Sequence, residues 1–244
     1  MQPVIIIPAR RASTRLPDKP LADIAGRPMI LHTCARAQES GIEPVWVATD
    51  DEEIAQTVRE AGVNVVMTAA THPSGSDRIW EALCSLDPEG KYDVIINLQG
   101  DLPTLDPRLV KDLLEPLKEE NVDIATLVCE ITEKEEEADP AVVKPVIAWQ
   151  DETCRRGRAL YFTRCPAPYG AGALYHHIGI YAYRRAALEK FVALPPSALE
   201  KREKLEQLRA LENNMRIDVV RVDTVPLGVD TPEHLEKARA VIGN

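Results

Sequence analysis

From its first residues the chain alternates short β-branched apolar runs with amphipathic stretches, and this rhythm confines it to few folds. Val4–Ile7 reads as a buried strand and Met29–Gln38 as an amphipathic helix, followed by a strand in "PVWVAT". "DEEIAQTVREAG" reads as a helix, with acids at its N-terminus and Gly62 as its stop. "VNVVM" is the next strand, "DRIWEALCSL" the next helix, and "YDVIINLQGD" a buried strand ending at Gly100–Asp101. Strands separated by helices pair in parallel, so the expectation is an α/β three-layer sandwich around a mainly parallel, mixed sheet.

After about residue 123 the rhythm changes. "DIATLVCEI", "VVKPVIAW", "ALYHHIGIYAYR" and "RIDVVRV" read as strands, separated by a long loop at 150–172 and a helix at 198–213. Pro145 within "VVKPV" predicts a sheet edge or a bulge there, because proline has no N–H for a central ladder. "TPEHLEKARAVI" closes the chain as a helix, with Thr231 as N-cap and Pro232 in its first turn. Without an internal repeat or flexible linker, residues 1–244 are expected to form one domain with an inserted lobe.

Composition narrows the setting. The formal net charge of −10 argues against nucleic acid as a partner. The acidic run "TEKEEEADP" reads as a solvated surface. No apolar run approaches the length of a membrane span, and no basic segment with a long apolar stretch opens the chain. Five cysteines without a C-x-x-C pair argue against a disulfide framework or zinc site, so a cytoplasmic protein without membrane insertion is expected.

Against that acidic background, "PARRASTRLPDKPL" concentrates Arg10, Arg11, Arg15 and Lys19 among small residues. Its prolines oppose a regular helix, and its lack of glycine excludes a Walker loop or a G-x-G-x-x-G turn. Side-chain cations, with backbone N–H groups, must then hold any anion. Ligands of open α/β sheets bind beyond the carboxyl ends of strands, where three polar clusters fall: residues 8–19, 72–78 and 99–103. "PSGSDR" adds Ser74, Gly75, Ser76 and Arg78 at a helix start, a plausible nucleotide contact. Asp101 ends a buried strand, and Mg²⁺ with a triphosphate suits such a carboxylate, with Asp230 of "GVDTP" as the second.

"IPARRASTRLPDKPL", "SGSDR", "QGDLP", "HIGIYAYRR", "EKLEQLRALE" and "GVDTPEHLEKAR" together resemble the 3-deoxy-manno-octulosonate (Kdo) cytidylyltransferase family, from residue 3 to residue 242. The resemblance implies a nucleotidyltransferase-type fold, a homodimer, and Mg²⁺-dependent conversion of CTP and Kdo to CMP-Kdo and pyrophosphate for lipopolysaccharide biosynthesis. It assigns Arg10, Ser13, Arg15 and Lys19 to the CTP phosphates, and Ser74, Gly75, Ser76 and Arg78 to the nucleotide. Gln99 would lie between nucleotide and sugar, and Asp101 and Asp230 would hold the metal. Arg15, Lys19, Asp101 and Asp230 form the expected catalytic group. Arg164, His177, Tyr181, Glu206 and Gln207 would form the sugar pocket, in a sugar-binding and dimerisation lobe at about 150–225.

The residue chemistry agrees with these roles. Kdo is an acid, which Arg164 can meet with a guanidinium fork while the other residues hydrogen-bond hydroxyls. Leu205, Leu208 and Leu211 are expected on one helix face, leaving Glu206 on its polar side and Gln207 at the boundary. The family usually carries an acid after the "QGD" aspartate, whereas this chain has Leu102. No residue is an evident general base. An alternative substrate is 8-amino-Kdo or another acidic sugar.

Overall fold

The computed structural model describes residues 1–11 and 16–243. In chain order its elements begin with β1 (Pro3–Ala9), the two-residue strands β2 (Asp23–Ile24) and β3 (Arg27–Pro28), α1 (Met29–Glu39) and β4 (Val45–Thr49). They continue with α2 (Glu52–Glu60), β5 (Asn64–Met67), α3 (Gly75–Leu86), β6 (Val94–Asn97) and α4 (Pro107–Asp112). Next come β7 (Ile124–Glu130), α5 (Lys134–Ala138), β8 (Lys144–Trp149), β9 (Arg156–Thr163) and β10 (Tyr175–Arg184). The chain ends with α6 (Arg185–Ala193), α7 (Ala198–Glu203), α8 (Leu208–Glu212), β11 (Ile217–Val222) and α9 (Pro232–Ile242). It divides into two compact units, Met1–Lys111 with Pro226–Asn244, and Asp112–Val225.

In the first unit the strands run in the order β5-β4-β1-β6, all parallel. The central strand β1 places Ile5 opposite Val45 on one side and Ile96 on the other. Val4, Ile5, Ile6 and Ile7 are wholly buried, as expected of a parallel strand covered on both faces. The helices start where their capping residues predict. Asp51 accepts from Ile54 N at 3.0 Å at the start of α2, and Gly62, with φ of +75°, follows its end. Thr231 caps α9 by accepting from His234 N, with Pro232 in the first turn. Leu16, Ile24, Met29, Val229, Leu235 and Ala238 bury one another, which draws the segment after β1 and the start of α9 into one cluster. β6 ends at Asn97, short of the expected Gly100–Asp101. The chain leaves the sheet there because Gly100 passes tightly over β1: a Cβ on it would lie 3.3 Å from the Pro8 carbonyl oxygen.

In the second unit the order is β10-β7-β11-β9-β8. β7 and β11 are parallel, and the other pairings are antiparallel. Three expectations need correction. The 150–172 segment is not all loop, since β9 occupies Arg156–Thr163; its Arg-Gly-Arg opening hides the strand pattern. The helix expected over 198–213 is broken into α7 and α8 by Lys204, which sits in the left-handed region at φ 56°. Leu205, Leu208 and Leu211 therefore do not share one helix. Helix α6 forms from "RAALEKFVA", where the sequence reading placed no element. The acidic run does fold into the short α5, but buries none of its residues. Pro145 lies on the edge strand β8, beside a bulge between Val146 and Ile147, as its chemistry requires.

Candidate active site

The first unit contains a cavity of about 510 Å³, lined from every polar cluster that the sequence singled out. Pro8, Ala9, Arg10, Lys19 and Pro20 come from the segment after β1. His72, Ser74, Gly75 and Arg78 come from the start of α3, and Gln99, Gly100 and Asp101 from the segment after β6. Asp230, just ahead of the α9 cap, completes the lining. Ser13 and Arg15 lie outside the described residues.

At the centre of this arrangement is Lys19. Its ammonium donates to Asp101 Oδ2 at 2.6 Å and to Asp230 Oδ1 at 2.9 Å. The backbone brings the two acids together independently, because Val229 N donates to the Asp101 carbonyl at 2.9 Å. Burial alone would lower the pKa of Lys19, but the two carboxylates outweigh it and raise the pKa. The lysine expected on phosphate thus rests on the acids. Arg10 is exposed at the cavity and has no polar partner among the described residues. Arg11 is differently placed, neutralised by Asp18 and Glu53.

The start of α3 is ordered by its own cap. Ser74 Oγ accepts from Asp77 N at 3.3 Å and donates to Asp77 Oδ2 at 2.6 Å. Gly75 sits against β1, with Pro8 Cγ 3.4 Å from where a Cβ would be. The Arg78 guanidinium is almost wholly buried and donates to Thr68 Oγ1 at 2.6 Å, with Asp50 Oδ1 at 3.3 Å. It is a fixed charge in the cavity wall. Ser76, by contrast, is buried and does not line the cavity. Gln99 donates to Asn97 Oδ1 at 3.2 Å, which orients its amide. Leu102 is buried, so the residue after Asp101 contributes to packing.

The sequence reading missed His72 and Met29 as lining residues. His72 hydrogen-bonds Glu81, which also accepts from Ala69 N at 3.0 Å. The His72 bond and then the Ala69 N–H hold the Glu81 pKa below its usual value. The signal was present in "THPSGSDR", where a histidine directly precedes the capping motif.

The five residues expected to bind the sugar all belong to the second unit. His177 and Tyr181 lie on β10 with ring centroids 5.5 Å apart, and Phe162 meets His177 edge-on at 4.9 Å. Burial, helped by neighbouring His176, pushes the His177 pKa down to about 3, leaving a neutral imidazole whose Nε2 lies 3.0 Å from Thr126 Oγ1. Burial also pushes the Tyr181 phenol up, with the charges of Tyr183 and Glu206 adding to it. Gln207 is buried and Glu206 half-buried, both in the turn between α7 and α8. The Arg164 guanidinium donates to three carbonyls, those of Glu203 at 2.8 Å, Pro140 at 2.8 Å and Lys204 at 3.4 Å. Two of its five N–H groups remain to offer.

Two carboxylates converging on one ammonium, in a cavity walled by arginines, form a site for a polyanion with its counter-cation. The donor set suits Mg²⁺, which takes one or two protein carboxylates and completes its shell with phosphate oxygens and water. Among the described residues no group of three or more histidine, cysteine, aspartate or glutamate side chains forms a denser metal cluster.

The α/β fold and this strand-end site define a nucleotidyltransferase-type protein. A cytidylyltransferase family model matches residues 4–217. The chain is 62% identical to the 3-deoxy-manno-octulosonate cytidylyltransferase of Xanthobacter autotrophicus over 239 residues, covering 98% of this chain and 93% of that protein. It is 58% identical to the enzyme of the same name from Paramagnetospirillum magneticum, covering 99% of this chain and 98% of that one. A solved CMP:2-keto-3-deoxy-manno-octonic acid synthetase, in complex with CTP, superposes with a TM-score of 0.91 at 41% identity, covering 100% of this chain and 99% of its own. The chain belongs to the 3-deoxy-manno-octulosonate cytidylyltransferase family.

Proposed function

We propose that this protein transfers CMP from CTP to Kdo, giving CMP-Kdo and pyrophosphate. The observation that carries the reading is the convergence of Asp101 and Asp230 on Lys19, at a cavity ringed by the strand-end cations. The anomeric hydroxyl of the sugar attacks the α-phosphorus of CTP. A new O–P bond forms as the bond to the β-phosphate oxygen breaks, pyrophosphate leaves in line with the attack, and the hydroxyl proton is released to water. Arg10, Ser13, Arg15 and Lys19 bind the triphosphate, and the fixed guanidinium of Arg78 adds positive potential to the wall. Ser74 and Gly75 hold the nucleotide through the start of α3, while the buried Ser76 packs behind them. Asp101 and Asp230 would hold Mg²⁺, which would supply charge neutralisation at the phosphates.

Gln99 is assigned to the nucleotide and the sugar, as the family resemblance implies. Arg164 offers its two remaining N–H groups to the sugar carboxylate. His177, Tyr181, Glu206 and Gln207 hydrogen-bond its hydroxyls, with the neutral imidazole of His177 serving as a fixed partner. We place the enzyme in the cytoplasm, where it acts as a homodimer in lipopolysaccharide biosynthesis; no helix among the described residues is long and apolar enough to cross a membrane.

The test is magnesium-dependent pyrophosphate release, measured with CTP, ATP and GTP against Kdo, 8-amino-Kdo and a sialic acid. Turnover confined to CTP with Kdo supports the assignment. Equal turnover with ATP, or preference for another sugar, would sink it.

A further inference from the structure

We propose that Lys144 is a positioning residue for sugar recognition, holding in place three segments that carry the sugar contacts. Lys144 opens the edge strand β8 and is wholly buried. Its ammonium donates to the carbonyls of Asp139 at 2.6 Å, Val142 at 2.6 Å and Arg164 at 3.0 Å. Three donors meet three acceptors, so its hydrogen-bonding capacity is filled entirely by main chain. The Asp139 carboxylate is engaged elsewhere, accepting from Ala141 N at 2.8 Å.

A buried ammonium is costly to desolvate, and apolar residues of equal volume often serve stability as well. What this one does is fasten the segment before β8 to the residue just past β9, beyond the last rung of their ladder at Lys144–Thr163. Through Arg164 the tie reaches the turn after α7. Arg164 donates from its main chain to Glu203 Oε2 at 3.1 Å and from its guanidinium to the Glu203 and Lys204 carbonyls, directly ahead of Glu206 and Gln207. The same guanidinium returns to the Pro140 carbonyl, inside the segment that Lys144 closes. Through Val143 the tie reaches β10, since His177 N donates to the Val143 carbonyl at 2.9 Å. One ammonium and one guanidinium thus bracket Arg164, His177 and the Glu206–Gln207 turn. Lys144 touches none of the reacting atoms.

This inference rests on the reading of those residues as the Kdo site, and the experiment separates the two. Lys144→Met keeps the side-chain length and removes the ammonium. In the magnesium-dependent assay it should raise the KM for Kdo by about tenfold while changing kcat less than threefold and CTP affinity less than twofold. Lys144→Gln, which retains two N–H donors, should show the same split more weakly, and it stands in should Lys144→Met not fold. Gln207→Ala is measured alongside. If Gln207→Ala raises the Kdo KM and a folded Lys144 variant does not, the bracket is wrong and the sugar site stands. If neither moves it, the sugar site itself is wrong and the proposal falls with it. Equal losses for CTP and Kdo would mark Lys144 as a general structural residue and overturn its positioning role.

Discussion

Lys19 Nζ lies 2.6 Å from Asp101 Oδ2, a bond that links the segment after β1 to the segment after β6 in the lining of the cavity. The same ammonium reaches Asp230, so it neutralises the pair proposed to hold metal. An ammonium and a divalent ion then compete for the same oxygens until a triphosphate gives the lysine a second partner. Lys19→Met should therefore bind Mn²⁺ more tightly than the native protein without nucleotide, by roughly tenfold if the lost ion pair is worth about 1.4 kcal/mol. Turnover with CTP should fall. Electron paramagnetic resonance of free Mn²⁺ measures the first effect, and unchanged or weaker binding would place the metal elsewhere.

Asp101→Asn and Asp230→Asn should keep the fold, since both side chains face a cavity and the amide preserves their shape. Each removes a charge proposed to hold Mg²⁺ at the phosphates, so kcat should fall roughly a hundredfold or more. Raising magnesium should restore part of the loss in Asp230→Asn. Near-native turnover of both variants at low magnesium would show that these acids do not hold the ion.

Packing offers a prediction independent of function. A Cβ on Gly157 would lie 2.5 Å from Ile147 Cγ2 and 2.9 Å from the Ala148 carbonyl oxygen, on the strand facing the β8 bulge. Gly157→Ala must displace backbone, and overpacking of this kind costs about 1–3 kcal/mol. Calorimetry should record a fall in Tm of about 2–4 °C for each kcal/mol lost. A variant as stable as the native protein would mean that β8 yields easily.

The bulge also shows where sequence reading succeeds and where it stops. Pro145 announces an edge strand because its missing N–H has a local consequence visible in one residue. Gly157 gives no such signal, because its necessity arises from a partner strand placed by topology. The parallel strands of the first unit were legible for a similar reason: burial on both faces leaves continuous β-branched runs. The break at Lys204 was not, since a left-handed lysine lacks the glycine that usually marks a helix end. In the site, Asp101 and Asp230 stood out because each follows a strand. Ser76 and Ser74 look alike in "PSGSDR" until the helix start is fixed at Gly75, which leaves Ser74 as the cap and buries Ser76.

His177 should make stability depend on pH in a defined window. Its native pKa of about 3 lies below the ordinary imidazole value of 6.5, so between those values the unfolded chain binds a proton that the native chain does not. Stability from this group is complete above about pH 6.5 and declines as pH falls toward 3, by about 1.4 kcal/mol per pH unit. His177→Gln should flatten the pH dependence of the unfolding free energy by that slope, read from urea titrations at pH 4.5, 5.5 and 6.5. An unchanged slope would mean that His177 takes up its proton in the native state.

Arg164 joins the structural and chemical arguments. If it served only the sugar, Arg164→Ala would lower Kdo use and leave the sugar-free protein as stable as before. Its three bonds to the carbonyls of Pro140, Glu203 and Lys204 require more than that. Hydrogen bonds to a charged group contribute about 1.5–3 kcal/mol each, reduced here by the solvent exposure of part of the guanidinium. Arg164→Ala should therefore lower Tm without any ligand and weaken Kdo use by at least tenfold, while CTP affinity stays within twofold of native. Arg164→Lys keeps the charge but cannot span three carbonyls and a carboxylate from one nitrogen, so it should recover little of either property. Thermal unfolding, CTP calorimetry and Kdo kinetics on the same preparations separate the effects. A loss of Kdo use with Tm unchanged would assign the guanidinium wholly to the sugar, and a loss of Tm with Kdo kinetics unchanged would remove it from the sugar site.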